Sequence, residues 1–229
     1  MDEEVVLIRE NMDNLQERDF GTVKVLSGTI GGKACALTQS GIGKVNAAIA
    51  TTLLIREYRV DALVNTGSAG ALDPLLEIGD VVIGERLVYH DVDVRAFGYN
   101  RGQIPRLPVM FSSHSTLVHT ALSTLNSPEV QKLLQCQVVQ GLIASGDQFI
   151  NNPEVLKDIL VDFPDCLLVE MESAAIAHTS HVMGVPFIII RSVSDRADST
   201  GAKDFTENLH KASVNSARAV LAVVRDLKY

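Results

Sequence analysis

Cysteine is scarce in this chain, positive charge is outnumbered and no apolar run is long, and each shortage removes a class of function. The three cysteines, Cys35, Cys136 and Cys166, form no C-x-x-C pair and leave one over. Neither a zinc site nor a disulfide framework is expected, and all three read as small buried hydrophobes. Twenty basic residues stand against 28 acidic ones, a formal charge of -8, without any dense basic cluster. That excludes a nucleic-acid backbone as partner. Nothing approaches the roughly 18 uninterrupted apolar residues of a membrane span. The start, Met1-Asp2-Glu3-Glu4, is acidic where a signal peptide is basic and then apolar, so a cytoplasmic protein is expected.

What is present is enough apolar material for one sizeable core. A chain of 229 residues that is 46% hydrophobic, with no repeat and no low-complexity segment, reads as one compact domain. Short β-branched runs alternate with segments of helical period, the pattern of an α/β protein with a mostly parallel sheet. Strands are expected near Val23 to Ser27, Lys33 to Thr38, Ala62 to Asn65, Asp80 to Leu87, Val138 to Ala144, Leu167 to Glu170 and Phe187 to Ser192. Helices are expected near Lys44 to Tyr58, Ser115 to Leu125, Glu154 to Asp162, Glu172 to Met183 and Lys203 to Leu227, the last laid across the sheet. From Tyr89 to Met110, Gly98, Gly102, Pro105 and Pro108 break any regular element, leaving a long ordered loop of the kind that covers a site or a partner surface.

In open α/β sheets ligands bind beyond the carboxyl ends of strands, so the residues after each apolar run carry the chemistry. Ser40-Gly41-Ile42-Gly43-Lys44 allows close backbone approach to a ligand or makes a plain tight turn; it matches neither a Walker loop nor G-x-G-x-x-G. Asn65-Thr66-Gly67-Ser68-Ala69-Gly70 is small throughout and suits a nest of N–H donors. After Gly141-Leu142-Ile143-Ala144, Ser145-Gly146-Asp147-Gln148-Phe149-Ile150 offers an aromatic that either stacks on a flat base or packs in the core. Two strands end in charge, at Glu170-Met171-Glu172 and at Arg191-Ser192-Val193-Ser194-Asp195. Acids at the mouth of buried strands are candidates for catalysis or hydroxyl binding, while a helix N-cap at Asp195 and a first-turn acid at Glu172 are the bland alternatives.

Taken together these motifs resemble one family, the 5'-methylthioadenosine/S-adenosylhomocysteine nucleosidases of the nucleoside phosphorylase superfamily. The matching runs are Met1 to Val5, Ser40 to Val45, Asn65 to Gly70, Tyr89 to Asp93, Ala96 to Tyr99, Ser145 to Asp147, Val169 to Glu172 and Ser194-Asp195, in order along nearly the whole chain. The resemblance implies a single domain over 1–229 with a central mixed twisted β-sheet flanked by helices. It implies hydrolysis of the N-glycosidic bond of methylthioadenosine, S-adenosylhomocysteine and 5'-deoxyadenosine, in a salvage role, with no metal or organic cofactor. By the same resemblance Asp195 protonates N7 of adenine, and Glu4 is the base for water, which Ser68 and Arg191 help to hold. Glu172 accepts from the ribose hydroxyls above Met171. Phe149 and the Ile150 backbone belong to the adenine end, Ile42 and Phe205 to the apolar 5' end, and Ser194 is a further substrate-binding residue. Val94, Phe97 and Pro105 reach the neighbouring site of a homodimer.

Phosphorylases of the superfamily carry an arginine two residues before the Gly-Ser pair, where this chain has Asn65, so water is the expected nucleophile. Futalosine hydrolase and AMP nucleosidase stay as neighbouring activities. One departure is that the family pattern sets a strand of the type Ile-Gly-Ile-Ile-Gly-Ala before Met-x-Glu-Glu. The sequence here opens at Met1, which implies either a late start or a compromised Glu4. A compromised Glu4 is the one support for a rival expectation, a nucleoside-binding protein without turnover. Arg196, where an apolar residue is usual, has no assigned role.

Overall fold

The longest apolar runs become strands buried on both faces, because each is covered by helices on one side and by its ring neighbours on the other. The computed structural model describes residues 2–228, with side chains from Glu4 to Lys228. The central strands are β4 (Leu63–Ala71), β5 (Val81–Tyr89), β7 (Val138–Ser145), β8 (Cys166–Glu170) and β9 (Phe187–Arg196). They bond in the order β5-β7-β8-β4-β9, and β9 returns to β5, so the five close on themselves; a short β6 (Phe111–Ser112) extends the edge of β5. A separate antiparallel sheet holds β1 (Asp13–Phe20), β2 (Val23–Ile30) and β3 (Lys33–Thr38).

The period of two along β9 explains its unbroken run of isoleucines. Ile188 and Ile190 pack toward one cluster with Ile83, Leu117 and Ala217, while Ile189 joins Val82, Ile143 and Ala174 in another. All three isoleucines are fully buried, so truncating any of them to alanine removes about 2–5 kcal/mol. Helix α7 (Gly201–Asp226) lies on β9 and β4, and α1 (Asp2–Glu10), α3 (Ser115–Leu125) and α4 (Pro128–Leu134) pack on α7. On the other side α2 (Lys44–Tyr58) packs against α6 (Ser173–Met183), and α5 (Pro153–Asp162) covers the cluster around Phe163 and Cys166. Among the cysteines only Cys166 is fully buried; Cys35 and Cys136 are partly exposed against the first cluster.

Every expected strand and helix forms. The sheet is mixed, as the resemblance implied and not mostly parallel as the local pattern suggested: β5–β7, β7–β8 and β4–β9 are parallel, whereas β4–β8, β5–β9 and β5–β6 are antiparallel. Closure decides this, since pairing across the ring leaves no mark on local periodicity. Asn65 to Gly70 and Arg191 to Asp195 do not follow strands; both lie inside them, in a parallel ladder running from Leu63↔Phe187 to Ala71↔Arg196. Small residues do not stop a ladder when both partners stay extended. The pattern had not marked α1, β1 and α4. Strand β1 is exposed along nearly all its length and lacks apolar alternation, and α4 is a short helix announced only by its Ser127 cap and Pro128.

The loop between β5 and β6 is ordered, as expected. Gly102 N–H donates to the Val92 carbonyl, and the Arg101 guanidinium reaches the His90 carbonyl at 2.8 Å and the Asp162 carboxylate at 3.1 Å. A 3-10 turn at Arg95–Phe97 leaves Phe97 81% exposed at its tip.

Candidate active site

A cavity of about 300 Å³ opens beside the point where β4, β8 and β9 meet α1, within the usual range for a small-molecule pocket. Eleven of the fourteen candidate residues border it: Glu4 from α1, Ile42 before α2, and Ser68 from β4. Phe149 and Ile150 follow β7, Met171 and Glu172 follow β8, Arg191, Ser194 and Asp195 belong to β9, and Phe205 to α7. The three others, Val94, Phe97 and Pro105, lie on the long loop and do not line the pocket of their own chain. Asn65, Thr66, Gly70, Gln148, Val169 and Glu170 also border the cavity without having been assigned a role.

Register explains much of this convergence. Gly67 of β4 lies opposite Arg191 of β9, and a Cβ there would sit 2.1 Å from the Arg191 Nη1, so the position has room only for glycine. A bulge then opposes Gly70 to Asp195, leaving Ser194 as the extra residue. Bulges re-aim side chains, and here the consecutive Ser194 and Asp195 both border the pocket. The Ser194 hydroxyl donates to Asp195 Oδ2 at 2.8 Å.

On one wall of the cavity a single cation faces several acids. The fully buried Arg191 guanidinium bonds Glu170 Oε2 and lies 3.4 Å from Glu172 Oε2, and its Nε donates to the Ser173 hydroxyl at 3.1 Å. Glu4 Oε1 accepts from both the amide and the hydroxyl of Ser68, each at 2.8 Å, and Glu4 is only 9% exposed. Glu4 is therefore held, through α1, at the cavity wall. Glu172 occupies the cap position of α6 without capping it; instead its Oε1 accepts the Gly43 N–H at 2.9 Å, from a glycine at φ 93°.

These surroundings push the acids apart in proton affinity. Burial would raise Glu4, but the positive charge around it, the Arg191 guanidinium included, and the Ser68 amide outweigh that and hold it below the ordinary glutamate value. Burial, with Glu170 adding to it, raises Glu172 in spite of Arg191. Burial lifts Asp195 to about 6, against the lowering effect of the Ser194 hydroxyl and with help from Asp204 and Asp198. A pocket that separates its carboxyls in this way can supply a base and an acid together. The N-cap alternative does not hold for Asp195, which lies within a strand while Thr200 takes the cap of α7; Glu172 does stand at the start of α6 and also borders the cavity. Phe149 is 45% exposed at the mouth, edge-on to Phe205 at 5.8 Å, so it is not a core residue.

Comparison with known proteins finds relatives over nearly the whole chain. The family model described as "Phosphorylase superfamily" matches residues 1–225. A 5'-methylthioadenosine/S-adenosylhomocysteine nucleosidase of Staphylococcus aureus (strain JH9) is 44% identical over 227 residues, covering 99% of this chain and 97% of the relative. The solved structure of the nucleosidase of the same name from Neisseria meningitidis, in complex with methylthio-immucillin-A, is 45% identical with a TM-score of 0.95, over 99% of this chain and 96% of that one. Futalosine hydrolase of Helicobacter pylori is more distant, at 32% identity with a TM-score of 0.91, over 99% of this chain and 95% of that one.

Proposed function

We infer the reaction from one premise: the chain belongs to the phosphorylase superfamily, and within it to the 5'-methylthioadenosine/S-adenosylhomocysteine nucleosidases. It is an N-glycosyl hydrolase that releases adenine from these two nucleosides, and we extend the reading to 5'-deoxyadenosine because the 5' end, at Ile42 and Phe205, is apolar. The family model's span supports reading the whole chain as one functional domain. No described helix is long and apolar enough to cross a membrane, and we retain a cytoplasmic site of action on the sequence argument.

The observation that carries the mechanism is a single guanidinium shared among carboxylates. Breaking the C1'–N9 bond leaves positive charge on the ribose and sends the electron pair to adenine. Asp195 gives its proton to N7, so adenine departs neutral. Water adds to C1' from the side of Glu4, which takes the water's proton, with Ser68 orienting the Glu4 carboxylate. Glu172 accepts from the ribose hydroxyls, and the negative surplus around Arg191 stabilises the sugar cation.

The same surplus favours water over phosphate. Arg191 is the one cation bordering the cavity among the described residues, and Glu170 and Glu172 already occupy it. A phosphate oxygen about 4 Å from one of these carboxylates meets repulsion of about 4 kcal/mol per pair of unit charges at the effective dielectric of a protein site. An AMP 5'-phosphate lacks a cation at the Ile42 and Phe205 end for the same reason. Adenine release from methylthioadenosine is expected at full rate in phosphate-free buffer and unchanged when phosphate is added. A phosphate-dependent rate with a ribose 1-phosphate product would overturn the reading.

A second copy of the chain is the proposed partner. Val45 and Ile49 of α2 and Val182 of α6 are 70%, 47% and 64% exposed, and the two helices flank a shared groove with Tyr89. Grouped apolar exposure of this kind belongs to an interface. Phe97, at the tip of the long loop, then has a neighbour's pocket mouth to enter, with Val94 and Pro105 beside it. Sedimentation is expected to give a dimer, and Val45→Asp a monomer with a raised KM for methylthioadenosine. A parent chain that sediments as a fully active monomer would exclude this partner.

A further inference from the structure

Glu170 enters the mechanism above only as part of the charge around Arg191, yet its buried carboxylate gathers donors from three separate elements. Its carboxylate accepts from the Arg191 guanidinium, from the hydroxyls of Ser145 and Ser173, and from the backbone N–H groups of Glu172 and Ser173. These donors come from β7, β9 and the start of α6, and the side chain is 3% exposed. A carboxylate this deep is costly unless every lone pair is used, and here the partners are themselves the supports of the sugar end.

We propose that Glu170 is a positioning residue for the reaction: it pins the Arg191 guanidinium and the Met171–Ser173 backbone, and so fixes where Glu172 meets the ribose. The inference rests on the hydrolase reading of the pocket. Two physical consequences follow. First, the Glu172 N–H and the Ser173 N–H end on Glu170, which sets the orientation of the turn carrying both Met171 and Glu172. Second, Glu170 draws Arg191 toward itself, leaving the guanidinium 3.4 Å from Glu172. Glu172 therefore receives only part of the compensation one cation can give, and it feels the Glu170 charge as well.

The charged groups around this centre are Glu4 on α1, Glu172 at the cap of α6 and Arg191 on β9, with His90 after β5. Removing the Glu170 charge while keeping its shape frees Arg191 for Glu172 and Glu4. Both acids then lose their protons more readily, so the rising limb of kcat/KM against pH moves to lower pH. Among the described residues, Phe149, Ile150 and Asp195 of the adenine end make no hydrogen bond to the Glu170 side chain; the loop that carries Phe149 meets Glu170 only at its start, through the Ser145 hydroxyl and the Gly146 N–H.

The test compares Glu170→Gln and Glu170→Asp with the parent enzyme. Parent turnover of methylthioadenosine checks the hydrolase reading by itself; the ratios of variant to parent check Glu170. Glu170→Gln is expected to raise KM about tenfold and to lower the rising limb by about one pH unit, while adenine binding changes by less than about threefold. Glu170→Asp keeps the charge but shortens its reach, and is expected to raise KM with the limb unmoved. Should Glu170→Gln fail to fold, Glu170→Asp decides: an unchanged KM overturns the proposal. It is equally overturned if Glu170→Gln leaves the limb in place and weakens adenine and nucleoside alike, the signature of general structural damage.

Discussion

Asp195→Asn is expected to lower kcat for methylthioadenosine by about 10²- to 10⁴-fold, the range for loss of a general acid, with little change in folding. The loss is one of a transferable proton. Asparagine keeps the shape and still accepts from the Ser194 hydroxyl, but it cannot give N7 a proton, and adenine must then leave as an anion. The pH profile carries the sharper evidence. Burial lifts the Asp195 carboxyl to about 6, so the acid form falls away as pH rises through that value. In the free enzyme kcat/KM should therefore decline above about pH 6, and the residual activity of the variant should lack this decline. The sign for stability follows: an acid whose folded value is raised contributes stability at low pH, lost as pH climbs through about 6. Thermal unfolding at pH 7.5 should then show the variant at least as stable as the parent. An unchanged kcat would move the acid elsewhere.

Glu4→Gln is the second large effect, expected at about 10²-fold or more on kcat with KM nearly unaltered. Glutamine keeps the contacts from the Ser68 amide and hydroxyl through its carbonyl oxygen, so the wall of the cavity survives. What disappears is the site that takes a proton from the attacking water. Because Glu4 sits below the ordinary glutamate value, the parent's base is ready throughout the neutral range and limits the rate only in acid. The variant should retain the decline above about pH 6, since Asp195 is untouched, and azide or formate added as an exogenous nucleophile or base should restore part of the rate. Full activity without such additives would show that water is activated by another group. The binding-only alternative predicts no adenine release from the parent itself, and Glu4 at the cavity removes the sequence-level support it had.

Much of the architecture was legible because turn chemistry and side-chain period are local. The bounds of α2 and α3 match the expected ones residue for residue, and Glu170 does end its strand. The extents of β4 and β9 were not legible, since a ladder held by its neighbours continues through Asn65 to Gly70 and through Ser192 to Arg196 irrespective of residue size. Helix α1 escaped notice because its apolar face is short, though it carries Glu4 to the pocket. Glu170 was visible as a charged strand end with Glu172 and Ser173 beside it, but nothing near it in the chain announces that the Ser145 hydroxyl and the Arg191 guanidinium converge there as well.

The sequence by itself determined the inventory: which acids, glycines and aromatics stand at the ends and turns of buried elements, and the family pattern they compose. Only the tertiary structure decided how those acids divide the labour. Glu4, Ser68, Glu172 and the pair Arg191 and Asp195 come from four separate segments, and the proton affinity of the three acids depends on burial and on charges brought near them by the closed ring of strands. Coulomb energy and desolvation act through space, so they are absent from any local stretch of chain and arise when the strands meet.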